Sequence, residues 1–234
     1  MIANSLAIEA HERDGRTILT RMRADGLWRT SRPFRDGEAA RVVVSQLGPG
    51  MVRGDAFAVS GRVTRGAHLI VGAQMATRVL SGPEAATSVA EWTLEAGSFL
   101  ELLAEPTLVA DGAAYAARLT LRLEPGARAH VVELVRRERG AALRVVTVAT
   151  RAGRLALVDA LRFDAGDDDD AAIGTLVILG AVDVAAVDRA ADRCAGVRAG
   201  IGVTRDGDVL VRVIGPEVWP VQAALAAIRT AAVP

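Results

Sequence analysis

One cysteine, Cys194, stands in 234 residues, so neither an intramolecular disulfide framework nor a multi-cysteine zinc centre can be built. Aromatic side chains are 3% of the chain against 51% hydrophobic residues, and the core must therefore be made of Ala, Val and Leu. Net charge is also missing: 28 basic residues balance 28 acidic ones, leaving no global field that would draw nucleic acid or an anionic membrane. No apolar run approaches the roughly 18 residues of a membrane-spanning helix, and the opening MIANSLAIEAHERD lacks a basic segment followed by an apolar one. A cytoplasmic location is expected, with Cys194 as a buried structural thiol.

Catalytic templates are missing as well. GPGMVRGD looks Gly-rich, but a phosphate-cradling loop needs Lys and a hydroxyl after its last Gly, and here Asp55 and Ala56 follow Gly54. An acid in that place repels phosphate. No GxSxG elbow and no HExxH pair occurs.

What the chain does contain is period-two alternation through its first 165 residues, in TILTRMR, RVVVSQL, AHLIVGA, ARLTLRLE, LRVVTVAT and RLALVDALRF. That pattern denotes strands with one buried face. Asp14-Gly15 and Asp36-Gly37 are turn signals, because Gly reaches positive φ without steric cost. A weak repeat accompanies the strands: VTRGAHLIV, TLEAGSFLEL and RLEPGARAHVV carry Gly66, Gly97 and Gly126 at intervals of roughly thirty residues. This spacing fits stacked β coils, and it also fits the turns of an antiparallel sandwich.

After Phe163 the composition changes. Asp167 to Asp170 reads as a solvated loop, with divalent-metal binding as the alternative. A strand GTLVILG, a helix from about Val184 to Cys194, a hairpin turning at Asp206-Gly207 and a final helix from about Glu217 to Thr230 then follow. The expected organisation is a mainly β core over 1–165 and a small C-terminal α+β addition over 166–234 packed on the same domain. The Ala-rich VQAALAAIRTAA offers a face for its own sheet or for a partner.

Several polar residues are candidates for function. Glu101 and Glu105 have same-face spacing if they share a strand, about 13 Å apart, which suits two solvated acids better than a shared proton. His68 and His130 sit at equivalent places in two repeats; stacked layers would let them approach each other and bind a borderline metal such as nickel. Asp55 can cap its own turn or touch a metal. Gln74 and Thr77 read as hydrogen-bonded core groups, and Glu133, between Val132 and Leu134, points either to solvent or into a polar lumen.

These residues carry a family resemblance over roughly residues 13 to 163. RDGRTILTRMRADGLWRTSRPF, GPGMVRGDAFAVSGRVTRGA, GAQMATRVLSG, GSFLELLAEPTLVADGA and PGARAHVVELVRRERG resemble, in order, five blocks of the UreD (UreH) family of urease accessory proteins. Gln74, Thr77, Val79, Gly97, Leu100, Glu101, Pro106, Leu108 and Glu133 match its motifs. Pro49 interrupts the usual Gly pair, Arg78 stands for Lys, Leu80 for Tyr and Glu105 for Gln.

The resemblance implies helically arranged, β-solenoid-like strands with about two C-terminal helices. It implies a non-enzymatic chaperone that binds urease apoprotein and UreF, reaches the GTPase UreG through UreF, and helps insert nickel. Nothing is then tightly bound, and nickel is in transit along an internal polar path. Such a path needs oxygen donors weak enough to release the metal; Asp55, Glu101, Glu105 and Glu133 are its candidate waypoints, with Gln74, Thr77 and Arg78 as motif residues beside it. The competing readings are a small metal-dependent hydrolase using His68, His130 and the acidic run, and a β-solenoid binding module unrelated to urease.

Overall fold

The structure, a computed structural model, describes residues 4–52, 54–167 and 171–232. In chain order the strands begin with β1 (Asn4–Arg13), β2 (Arg16–Ala24), β3 (Trp28–Thr30), β4 (Phe34–Asp36), β5 (Ala39–Gln46) and β6 (Ala56–Val63). Next come β7 (His68–Ala73), β8 (Thr77–Val79), β9 (Ala86–Leu94), β10 (Phe99–Leu103), β11 (Thr107–Val109) and β12 (Ala114–Leu123). The chain closes with β13 (Arg128–Arg137), β14 (Ala142–Arg151), β15 (Arg154–Phe163), β16 (Ala171–Leu179), helix α1 (Val184–Asp192), β17 (Arg198–Val203), β18 (Val209–Gly215) and helix α2 (Val218–Ala232).

The solenoid expectation holds. In one sheet β1, β6, β9, β12 and β14 lie side by side and parallel, and in the other β5, β7, β10 and β13 do the same. Parallel neighbours need a crossover, and here the crossover from one strand to the next in a sheet runs through the facing sheet. Each turn of the chain is thus one coil.

The repeat glycines build one column of corners. Gly66, Gly97 and Gly126 have φ between 70° and 76°, a region that L side chains avoid. The corners also brace one another: Glu95 accepts the Arg65 amide at 3.1 Å and Glu124 accepts the Ala96 amide at 2.9 Å. On the opposite column Glu138 accepts the Asp111 amide at 3.0 Å. Glutamate at the first place of a corner therefore satisfies an amide of the coil beneath it, which would otherwise lack a partner.

Between the sheets lies a core of Leu, Val and Ala with Trp92 at its centre. The outer face of the seven-stranded sheet is polar, with Glu91 paired to Arg122 at 3.1 Å, which is why parallel strands here alternate instead of forming continuous apolar runs. Antiparallel hairpins close both of its edges, β1–β2 turning at Asp14-Gly15 and β14–β15 at Ala152-Gly153, and each carries a bulge. Bulges and charged side chains at an edge discourage unwanted strand addition.

β16 joins β13 antiparallel and β18 and β17 follow, extending the second sheet. α1 is capped by Asp183, which accepts the Ala186 amide at 3.0 Å, an arrangement that satisfies a free first-turn donor. α2 packs Val221, Leu225 and Ile228 onto the outer side of that sheet, where Gly174 leaves the room taken by Leu225 and Val221. Cys194, after α1, is half-buried, and burial raises its thiol above the usual range. No described helix is long and apolar enough to cross a membrane.

Candidate functional site between the sheets

Strand alternation sorts the candidate residues onto two sides of the second sheet. On β10, Leu100 and Leu102 face the other sheet, so Glu101 faces outward. On β13, Leu134 packs outward against the helices, so Glu133 faces inward. The two glutamates lie on opposite sides of one sheet.

Outward, Glu101 is buried beneath the end of α2, contrary to the expectation of a solvated acid. Its two oxygens meet His68 Nε2 at 3.0 Å and Arg229 Nη1 at 2.5 Å. Burial pushes the Glu101 carboxyl up, but the His68 hydrogen bond and the Arg229 charge outweigh it and hold the carboxyl below its ordinary value. His68 and His130 do not meet. The Phe99 ring lies between them, stacked on His68 at 4.5 Å and edge-on to His130 at 4.9 Å. His130 is buried with Nδ1 lacking a partner among the described residues, and burial depresses its pKa to about 4.

β10 ends at Leu103, so Glu105 does not share a strand with Glu101, and its carboxylate meets Gln222 of α2 at 3.2 Å. Asp55 closes its own turn by accepting the Val52 amide at 2.8 Å. Gln74 and Arg78 are exposed; the Arg78 carbonyl accepts the Met51 amide at 2.7 Å, and Gly50 is pressed against it. Thr77 donates its amide to Pro106. Asp167 forms a turn with Asp164, and Asp168 to Asp170 lie outside the described residues. Among the described residues no group of three or more His, Cys, Asp or Glu is placed to hold a metal ion.

Inward, two cavities share part of their lining. One of about 210 Å³ runs from Met75, exposed at the surface, past Gln46, Thr77 and Trp92 to Glu105 and Thr107. A second of about 180 Å³ shares Ala90, Leu102, Ala104, Glu105 and Thr107 with it and continues to Tyr115 and Glu133. Glu105 therefore lines both.

At Glu133 a polar row crosses the apolar interior. Register places Glu133 beside Thr175 and Thr175 beside Arg212 in one sheet, while Thr147 pairs with Asp159 in the other. Flanking inward positions are apolar: Val131 and Val135, Ile173 and Val177, Val145 and Ala149, Leu157 and Leu161. Asp159 takes two hydrogen bonds from Arg212 Nη2, at 2.6 and 2.7 Å, and Thr147 reaches Glu133 at 3.4 Å. Burial and the negative charge of Asp159 raise the Glu133 carboxyl to about 7. Burial raises Tyr115, hydrogen-bonded to Ser88, to about 12. The arrangement can bind and release protons or cations through oxygen atoms.

The chain matches the family model for UreD urease accessory protein over residues 3–234. It belongs to the UreD family. Among curated relatives, the urease accessory protein UreD of Sorangium cellulosum is 30% identical over 227 residues, 87% of this chain and 72% of that protein. UreD of a Methylobacterium species is 30% identical over 159 residues, 64% of this chain and 56% of that protein. UreD of Azorhizobium caulinodans is 30% identical over 157 residues. The resemblance read from five sequence blocks therefore extends, as a UreD match, through the C-terminal strands and helices. Asp159, Arg212, Thr147, Thr175 and Arg229 were not singled out by sequence, although a polar residue at an inward place of an alternating run, as in LVDAL and VVTVA, is a readable signal.

Proposed function

We propose that this chain works in urease maturation as a non-catalytic scaffold in the cytoplasm, binding urease apoprotein and UreF, with UreG reached through UreF. Nickel passes between the two sheets, entering near Met75, turning at Glu105 and reaching Glu133. The observation that supports this reading is the shared lining of two neighbouring cavities, with Glu105 on both and Glu133 on the second. Oxygen donors suit a metal that must move on, since carboxylate and hydroxyl groups hold nickel more loosely than imidazole or thiolate. Asp55, which closes its own turn, and Glu101, which faces outward from the second sheet, line neither cavity and are not waypoints in this reading.

The test is co-expression with urease subunits and the other accessory proteins, followed by pull-down and measurement of urease nickel. Loss of urease and UreF from the pull-down would sink the scaffold reading. Glu133→Gln should leave the complex intact and lower urease nickel several-fold; unchanged nickel removes the interior path while leaving the scaffold standing.

A further inference from the structure

The polar row does not stop at Glu133. It continues through Thr175 and Arg212 to Gly200, which pairs with Arg212 on the exposed edge strand β17. In the facing sheet it passes from Thr147 to Asp159 on the edge strand β15. Thr147 and Thr175 are buried, whereas the Arg212 and Asp159 side chains keep 22% and 10% of their exposure. Beyond them, on this row, the sheets end and solvent begins. The Asp159–Arg212 ion pair joins β15 to β18 on this row, two strands beyond the Glu133 that lines the cavity.

A second ion pair joins the sheets nearby and differs in kind. Asp208, fully buried, accepts Arg151 at 2.9 and 3.3 Å and the Gly180 amide at 2.8 Å. Removing Arg151 would still leave Asp208 fixed. The side chains of Asp159 and Arg212 have no hydrogen-bond partner among the described residues except each other. Room for movement exists as well. Partners across a ladder share a face, so the place of a side chain on Gly200 lies beside Arg212, and nothing stands within 4 Å of it.

We propose that the Asp159–Arg212 pair is a gate: closed, it separates the Glu133 cavity from solvent at the β15–β18 end, and it opens when the Arg212 guanidinium swings into the space left by Gly200. The cargo it admits or releases is a divalent cation, a point that rests on the interior-path reading above. A cation arriving at Glu133 competes with Arg212 for Asp159, since both are drawn to the same carboxylate.

The experiment uses the full chain with Cys194→Ser and Thr147→Cys, and follows modification of the new thiol by a small cationic methanethiosulfonate reagent. Slow modification is expected with the pair intact, at least tenfold faster modification in Arg212→Gln, and slower modification in Gly200→Leu, which fills the swing space beside Arg212 and leaves both charges of the pair in place. The charge swap Asp159→Arg with Arg212→Asp should return the rate towards its original value. Equal rates in Arg212→Gln, Gly200→Leu and the parent would overturn the gate and leave a structural staple. If Arg212→Gln does not fold, the urea dependence of modification in the parent decides: a shallow dependence means local opening, and one as steep as global unfolding refutes it. Urease activation by the same variants is read separately. A gate seen by thiol modification with unaltered activation overturns cation passage and leaves the moving pair.

Discussion

The indole of Trp92 lies directly against the backbone of Gly61, in the space that a side chain there would occupy. The two residues pair across β6 and β9, and Trp92 is fully buried at the centre of the intersheet core. Gly61→Ala would drive a methyl group into the ring with backbone on one side and packed Leu and Val on the other. Overpacking of this kind costs about 1–3 kcal/mol and more where the ring has no room to shift. A lowered urea midpoint with unchanged m-value is the expected result.

Much of this architecture was legible because alternation is a direct record of one buried face. The strands, the Gly66, Gly97 and Gly126 corners, both helices and the hairpin at Asp206-Gly207 follow from residues a few positions apart. Period alone does not say which strands are neighbours, so parallel stacking came from the repeat and the family blocks. The site was harder to read. Glu101 and Glu133 both look like polar residues in strands, and the side each faces depends on what covers the sheet: α2 lies more than a hundred residues beyond Glu101 in the chain, as the Arg229 contact shows. The Phe99 ring between His68 and His130 is likewise hidden: Phe99 pairs with His68 and with Arg128, so His130 stands two residues further along its coil, beside Glu101, an offset that the repeat alone does not show.

The Arg229–Glu101–His68 contact holds the end of α2 to the second sheet. Removing one partner of a largely buried ion pair leaves a charge without compensation. Arg229→Ala is expected to destabilise the protein by about 2 kcal/mol, less than a fully buried pair because Arg229 retains 28% of its side-chain exposure. Amide exchange in the last two turns of α2 should rise more than exchange in β9 and β12. Equal changes in both places would mean that α2 is held by its apolar face alone.

Asp208 should be the least replaceable acid at the closed end of the sheets. It accepts bonds from Arg151 and from the Gly180 amide with no exposure to water. Asp208→Ala leaves a guanidinium and a buried amide without acceptors, and a loss of about 3 kcal/mol follows. Asp208→Asn, which keeps an oxygen for Gly180, should cost less. Equal losses in denaturation measurements would place the weight on charge alone, since both variants remove it.

Acid and base variation should expose two opposing groups, the half-buried Glu133 and the buried His130. Glu133 has its pKa raised from 4.5 to about 7 in the folded chain. Between those values the native state holds a proton that the unfolded state has lost, so stability falls as pH rises. His130 is shifted the other way, from 6.5 to about 4. Through that window the unfolded state holds the extra proton, so stability falls as pH drops. The windows overlap between about 4.5 and 6.5, where the two slopes cancel, and above 6.5 only the Glu133 loss remains. Glu133→Gln should therefore gain up to about 3 kcal/mol relative to the parent at pH 8 and become steeply acid-sensitive below pH 6.5. His130→Gln should show the reverse, losing stability steadily from pH 4.5 to 7. Chemical denaturation at half-unit pH steps reads both slopes, and a Glu133→Gln profile parallel to the parent's from pH 5 to 8 would mean that the carboxylate is already solvated by water in the cavity.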